Sequence, residues 1–426
     1  MEGRDVYLVA GLRSHLGLQN GIFKEVPPEK LGAALLRQLC VQMPVAREAQ
    51  LVIGGNAVGS GGNLIRLMAL EAGFPVSTPA LTVDMQCASA LAVLSLGYGQ
   101  IRGGLLDVVL AGGVESSSMQ PRRVYQTWDA RYTPEGYMTA QFSPDTDSPR
   151  TMLEGAERTA QVYRVPREEL DRWAVRSHQK AAEARQSGAL APYVVSLFGS
   201  TRDESLRPRM NEKLAKRMPT LFRKDEVEAL LTPEERQKTG SCTPTLTAAN
   251  ACLTQDGAAF LLLCSGRQLE KWSREGRTVE PLARIVHVTM AGVEPRFSPL
   301  GALAVGDKAL EEAGLTVSDV DDFEYNEAFA VISALFARRH PDCVDRYLPL
   351  GGALAYGHPY GCSGAVLVIH ALAALKQQGG RRALCAIAGA GGTGAAVILE
   401  TGGGTDGLCT VGGALGCGAA GETFFH

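Results

Sequence analysis

The stretch LTVDMQCASALAVLS, residues 81–95, decides how the rest of this chain is read. An apolar, strand-like run ends in Asp84, Met85 and Gln86, and Cys87 is followed at once by small residues and an Ala/Leu-rich helical pattern. Cys87 therefore falls at a strand-to-helix turn. Free backbone N–H groups and the positive helix end at such a turn predict a stabilised thiolate, and small neighbours leave room for a substrate. That is a setting for a nucleophile, although an isolated cysteine is as readily a small buried hydrophobe.

Outward from this stretch the chain alternates strands and helices. Downstream, a helix to about Ile101 stops at Gly103-Gly104, the strand LLDVVLAG follows, and Gly112-Gly113 reads as a tight turn before Glu115 and Ser116–Ser118. Upstream, DVYLVAG (5–11) and LVIGGNA (51–57) read as strands, and residues 29–42 and 63–73 as helices. This alternation predicts a mostly parallel sheet covered on both faces. Residues 121–244 are more charged and poorer in strand signals, which reads as an inserted helix-rich subdomain. Its basic run at 203–224 is either a solvated helix face or a clamp on phosphates. Strand pattern resumes at Thr245–Leu263, with Asn250 and Asp256-Gly257 read as turns, and a second α/β stretch fills 281–400. There GHPYGCSGA opens the helix AVLVIHALAALKQQ, which stops at Gly379-Gly380 ahead of another strand and a Gly391-Gly392 turn. Counted back from the two Gly-Gly stops, Ser363 matches Cys87. The match predicts two copies of one unit, with two helix starts facing a shared site.

Composition narrows the function classes. The 426 residues, 45% hydrophobic and 20% charged, support a large core and two or three domains. A formal net charge of −3 without a basic stripe argues against nucleic acid as a partner. Ten cysteines without a C-x-x-C pair suggest neither a metal site nor a disulfide framework, and fit reduced thiols in the cytoplasm. The start, MEGRDVYLVAGL, is unlike a targeting peptide, and no apolar run is long enough for a membrane span.

From Asp5 to Glu400 the chain resembles the thiolase family, on four marks in order: the Cys87 loop, Asn326-Glu327-Ala328-Phe329, GGALAYGHP at 351–359, and the Gly-rich turn at 389–394. The resemblance implies an α/β fold of duplicated units layered α-β-α-β-α, with an inserted loop domain. Residues 1–120 with 245–270 form the first half, 121–244 the loop domain, 271–400 the second half, and 401–426 a Gly-rich, disordered tail. It also implies thiolytic cleavage of 3-oxoacyl-CoA or condensation of acetyl-CoA through an acyl-cysteine, with coenzyme A as co-substrate, no bound cofactor and no metal. Cys87 becomes the nucleophile and His358 its base, with a pKa suited to neutral pH. Asn326 helps at the substrate's enolate oxygen, and the Cys87 and Ala390 backbone N–H groups form a second oxyanion hole. A helix cap is the structural alternative for the Asn326 loop. Arg207, Met152, Cys252 and Phe329 are the candidate substrate and coenzyme A contacts. A homodimer or homotetramer is expected by resemblance.

The chain also departs from the family pattern. Ala388 stands where a second, proton-moving cysteine is usual, and a methyl group carries no proton. Cys385, three residues upstream in a strand, points to the opposite face about 10 Å away and reads as core. Cys362, four residues after His358 at a helix start, is the candidate replacement, or else a small packing residue. Asp84, Ala90, Thr151 and Cys252 are further departures, which bear on the substrate. Three readings follow: an active thiolase, an acyl-CoA acyltransferase or thioesterase without carbon–carbon chemistry, and a silent coenzyme A-binding subunit.

Overall fold

Nine strands lie on one hydrogen-bonded path in a computed structural model that describes residues 5–144, 148–240 and 242–402. The order is Ala80–Val83, Leu51–Gly55, Val108–Ser116, Gln255–Ser265, Val6–Ser14, Ala283–Gly292, Thr393–Glu400, Arg382–Gly389 and Asp322–Tyr325. The expected tail lies outside the described residues except for Thr401 and Gly402, and so do the first four residues.

The two ends of this path repeat one pattern. Leu51–Gly55 pairs parallel with Val108–Ser116, which pairs antiparallel with Gln255–Ser265 and through it with Val6–Ser14. Asp322–Tyr325 pairs parallel with Arg382–Gly389, and two antiparallel steps again lead to Ala283–Gly292. Along the strand path the halves meet at Tyr7 opposite Arg284 and Leu8 opposite Ala283. With so short a seam the path folds over, and the halves face each other across the helices Ser89–Arg102 and Ser363–Gln378. One core cluster holds both helices with Ile53, Val109 and Leu261 of one half and Cys385, Ile387 and Val397 of the other. Outer helices cover the far faces, Pro28–Gln42 and Leu64–Glu71 on the first half and Leu300–Ala313 and Ala330–Arg339 on the second. Helix, sheet, helix, sheet, helix is the layering expected of the family.

Sequence explains this placement. AVLVIHALAALKQQ is apolar all round rather than along one stripe, as a helix between two sheets must be, and Ser363 through Leu375 are all buried. In Arg382–Gly389 alternate residues serve the two layers: Ala383, Cys385 and Ile387 face the central helices, while Leu384, Ala386 and Ala388 face the outer ones. Cys385 is thus core, on the face opposite Ala388.

Four details differ from expectation. The sheet is not mostly parallel, since five of the eight pairings along the path are antiparallel and parallel pairing is confined to its two ends, where the strand–helix alternation lies. Gly112 and Gly113 form no turn but lie inside Val108–Ser116. A Cβ there would stand 2.1 Å from the Ala259 carbonyl oxygen or 2.1 Å from that of Gly361, so these glycines admit backbone from a neighbouring strand and loop. Asp256-Gly257 is likewise within a strand, where the Asp256 carboxylate accepts from the Ser118 backbone N–H at 2.9 Å. The repeat register also shifts by one. The left-handed glycines that close the central helices are Gly104 (φ 76°) and Gly379 (φ 67°), and Cys362, not Ser363, stands as far ahead of its glycine as Cys87 does of its own.

Residues 121–244 carry the helices Thr151–Val162, Arg167–Ser187 and three shorter ones among the described residues. They are anchored to the first half. Asp203 takes a bidentate contact from Arg13 at 2.8 and 2.9 Å, and Glu204 accepts from the Leu18 and Ile22 backbone N–H groups at 2.9 and 3.0 Å. The acidic residues at the head of the basic run are therefore struts rather than surface.

Candidate active site

The start of each central helix reaches the same place. A Cβ on Gly364 would lie 2.6 Å from the Leu91 backbone nitrogen, so the first turns of the two helices touch. Above them opens a cavity of about 370 Å³ lined by Cys87, His358, Cys252, Phe329, Met152 and Ala390, among others.

Cys87 follows a strained turn. Gln86 is left-handed at φ 53°, held there by the Asp84 carboxylate, which accepts its backbone N–H at 2.8 Å. The Ser89 hydroxyl accepts from the Met85 N–H at 2.9 Å and donates to the Gln86 carbonyl at 2.5 Å. These contacts aim the sulfur into the cavity. They also overturn the expected resting thiolate. The N–H groups of Ala88 and Ser89 are spent on the Met85 and Gln86 carbonyls, and only those of Cys87 and Ala390 act on the sulfur. Burial and the nearby Glu115 carboxylate outweigh them and push the thiol up to about 12. At neutral pH Cys87 is a thiol that needs a base.

His358, on the same cavity wall, is held in one tautomer. Its Nδ1 lies 2.6 Å from the Ser363 hydroxyl, whose own proton goes to the Pro359 carbonyl at 3.0 Å. The hydroxyl oxygen must therefore accept Nδ1–H, which leaves Nε2 with a lone pair. The Asn326 amide nitrogen stands 3.4 Å from that Nε2 and can only donate to it. Burial lowers the imidazole pKa to about 3, well below the near-neutral value expected from sequence, because the buried ring disfavours charge, and the ring therefore rests neutral. Asn326 caps no helix, since the following helix starts after Phe329 with no side-chain cap. Ser363, which sequence reasoning used only as a counting mark, fixes the tautomer.

Glu115 holds the site from beneath. Its buried carboxylate accepts from Asn56 Nδ2 at 2.8 Å and from the N–H groups of Ala57, Val58 and Gly361 at 2.9, 3.2 and 2.9 Å, which ties the 56–58 turn to the His358 loop. Burial raises its pKa to about 7. The raised folded value means that this group's stability contribution is complete below the unfolded pKa and is lost as pH rises through about 7. Glu115→Gln removes the negative neighbour of Cys87, so alkylation of Cys87 by iodoacetamide is expected at lower pH than in the wild type. Rates measured across a pH series would show an unmoved profile if the two groups do not interact.

Three predicted site residues do not line the cavity, the first being Asn326, which borders a second, smaller cavity with Glu324 and His370 and meets His358 Nε2 at 3.4 Å. Cys362 is fully buried in the central core, where burial and Glu115 push its thiol well up. Four residues after His358, it lies on the other side of the loop. Arg207 is exposed, with its backbone N–H donating to His178 Nδ1 at 3.2 Å. Among the described residues the arginines on the cavity wall are Arg123 and Arg150, which composition could not single out. Ala388 is packed into the outer core layer.

Family profiles agree with this geometry. That of the thiolase N-terminal domain matches residues 6–267, and that of the thiolase C-terminal domain residues 279–401. The chain belongs to the thiolase family. As a thiolase it is an acyltransferase acting on acyl-CoA thioesters. It is 34% identical over 395 residues to a putative acetyl-CoA C-acetyltransferase of Bacillus subtilis, covering 92% of this chain and 98% of that one. With the 3-oxoadipyl-CoA/3-oxo-5,6-dehydrosuberyl-CoA thiolase of Escherichia coli it shares 33% identity, over 93% of this chain and 99% of that relative. The crystal structure of human mitochondrial 3-ketoacyl-CoA thiolase in complex with CoA superimposes with a TM-score of 0.82 at 28% identity, covering 94% and 98% of the two chains. The thiolase uses coenzyme A as a substrate, and its described residues hold no cluster fit for a metal ion and no helix long and apolar enough to cross a membrane.

Proposed function

We propose that acyl groups pass through Cys87, with His358 as its base and the Asn326 amide, beside His358, as donor at the substrate's thioester oxygen. The observation that carries this reading is the fixed tautomer, with Ser363 on Nδ1 and on Nε2 a lone pair that accepts only a long contact, 3.4 Å, from the Asn326 amide. In the cleavage direction His358 takes the Cys87 proton and the sulfur attacks the 3-oxo carbon. The C2–C3 bond then breaks and the acyl group stays on sulfur until coenzyme A removes it. The N–H groups of Cys87 and Ala390, already directed at the sulfur, meet the oxyanion that forms there, where such donors are worth about 3–4 kcal/mol each. Met152 and Phe329 wall the acyl group, and Arg123, with Arg150 paired to Glu226 at 3.2 Å beside it on the wall, offers charge to the coenzyme's phosphates.

We read the protein as a cytoplasmic homo-oligomer acting in lipid metabolism. Support for the first comes from the free thiols of all eight cysteines among the described residues. Support for the second is the sheet-edge strand Ala80–Val83 with Leu81 exposed, and light scattering of the purified chain tests it. The central test uses acetyl-CoA. Intact mass is expected to show one acetyl group on the wild type and none on Cys87→Ala, and the wild type is expected to cleave acetoacetyl-CoA when coenzyme A is added. A wild type that carries no adduct overturns the assignment of Cys87.

A further inference from the structure

Breaking C2–C3 leaves an electron pair that needs a proton, and no group assigned so far supplies it. Ala388 is a methyl group in the outer core, and the thiols of Cys362 and Cys385 are sealed in the central core. Among the described residues, the cysteines on the cavity wall are Cys87 and Cys252. We propose that Cys252 is the acid and base of the carbon–carbon step, a role that rests on Cys87 being the nucleophile.

The geometry favours this residue over any other thiol. Its backbone N–H donates to the Ala328 carbonyl at 2.9 Å, and Ala251 bridges Phe329, so one side of the segment is fixed to the Asn326 loop. On the other side the His358 N–H donates to the Leu253 carbonyl at 3.0 Å, and Thr254 bridges His358. Cys252 is thus clamped between the two loops that hold the enolate-stabilising groups, with its side chain on the cavity that also holds the Cys87 sulfur. Burial, then the Cys87 sulfur, raises its thiol pKa, so Cys252 waits protonated as an acid should.

The step balances. As C2–C3 breaks, the bonding pair goes to C2 of the departing acetyl-CoA enolate, and Cys252 Sγ–H gives that carbon its proton. The Cys252 thiolate then takes the proton of the incoming coenzyme A thiol, whose sulfur displaces the acyl group from Cys87. Cys252 is again a thiol, and Cys87 leaves as the thiolate to which His358 returns the proton. Condensation is the reverse.

Cys252→Ala and the near-isosteric Cys252→Ser test the proposal together. Both are expected still to reach one acetyl group on Cys87, more slowly than the wild type, because coenzyme A must then leave as a thiolate that Cys252 no longer protonates. Both are expected to lose at least about 100-fold in acetoacetyl-CoA cleavage, the scale of a positioned acid–base group, and to stop exchanging the α-hydrogens of acetyl-CoA in deuterium oxide. A residue that merely touched the substrate would leave exchange per bound substrate intact, which overturns the proposal. Cleavage within about threefold of wild type in either variant also overturns it. A wild type that fails to acylate would instead indict the Cys87 reading.

Discussion

His358→Ala is expected to cut acetoacetyl-CoA cleavage by about 10³–10⁴-fold at neutral pH, the upper range for loss of a general base. The size follows from the state of its partner. Cys87 rests as a thiol near 12 because burial and Glu115 outweigh two backbone donors, so without Nε2 almost no thiolate exists at pH 7. The remaining activity should climb with pH, about tenfold per unit, since hydroxide must then do the work. The wild type should instead be flat across neutrality, because an imidazole with a pKa near 3 is already unprotonated. Ser363→Ala is the quieter companion. It frees Nδ1 to lose its proton, lets the wrong tautomer form, and lowers kcat without moving KM. A His358→Ala enzyme with a flat pH profile and near-normal kcat would show that Cys87 is activated by something else.

What could be read beforehand, and what could not, follows from range. Helices such as AVLVIHALAALKQQ and the buried strands announce themselves through local spacing, and Cys87, Asn326 and His358 through short motifs, so the fold and the place where these three residues come together were legible. Properties decided by distant backbone were not. Gly112-Gly113 has the letters of a turn, and only the Gly361 loop pressed against it shows why glycine is needed inside a strand. The helix start at Cys87 promised a thiolate, but whether its N–H groups are free depends on the Met85 and Gln86 carbonyls curling back over them. Cys362 is close to His358 in sequence and faces the core, whereas Cys252 is a hundred residues away and shares the cavity. Ser363 matters only once the loop closes to 2.6 Å from the imidazole.

Arg13→Met is expected to be the most damaging change away from the cavity, costing about 3–5 kcal/mol as for other buried ion pairs that lose one partner. Methionine fills much of the volume, so the loss is electrostatic. Arg13 is fully buried and grips both oxygens of Asp203, and without it that carboxylate keeps only the Leu16 N–H at 2.8 Å. Burial by itself would raise the Asp203 pKa, yet Arg13 holds it below the usual carboxylate value. A depressed folded pKa contributes stability that is complete above the unfolded value and fades as pH falls through the folded one. The deficit of Arg13→Met should therefore be full at pH 7 and shrink on acidification, as measured by urea unfolding at several pH values. Arg13→Met with Asp203→Asn should recover most of the loss, because no charge is then left buried and the amide oxygen can still accept from Leu16. A double variant as unstable as the single one would mean that shape and not charge joins the insertion to the first half. The same contact matters to the site: Asp203 and Glu204 hold the turn from Leu16 to Ile22, and from that turn Gln19 reaches the cavity wall, accepting the Thr254 hydroxyl at 2.9 Å two residues from Cys252.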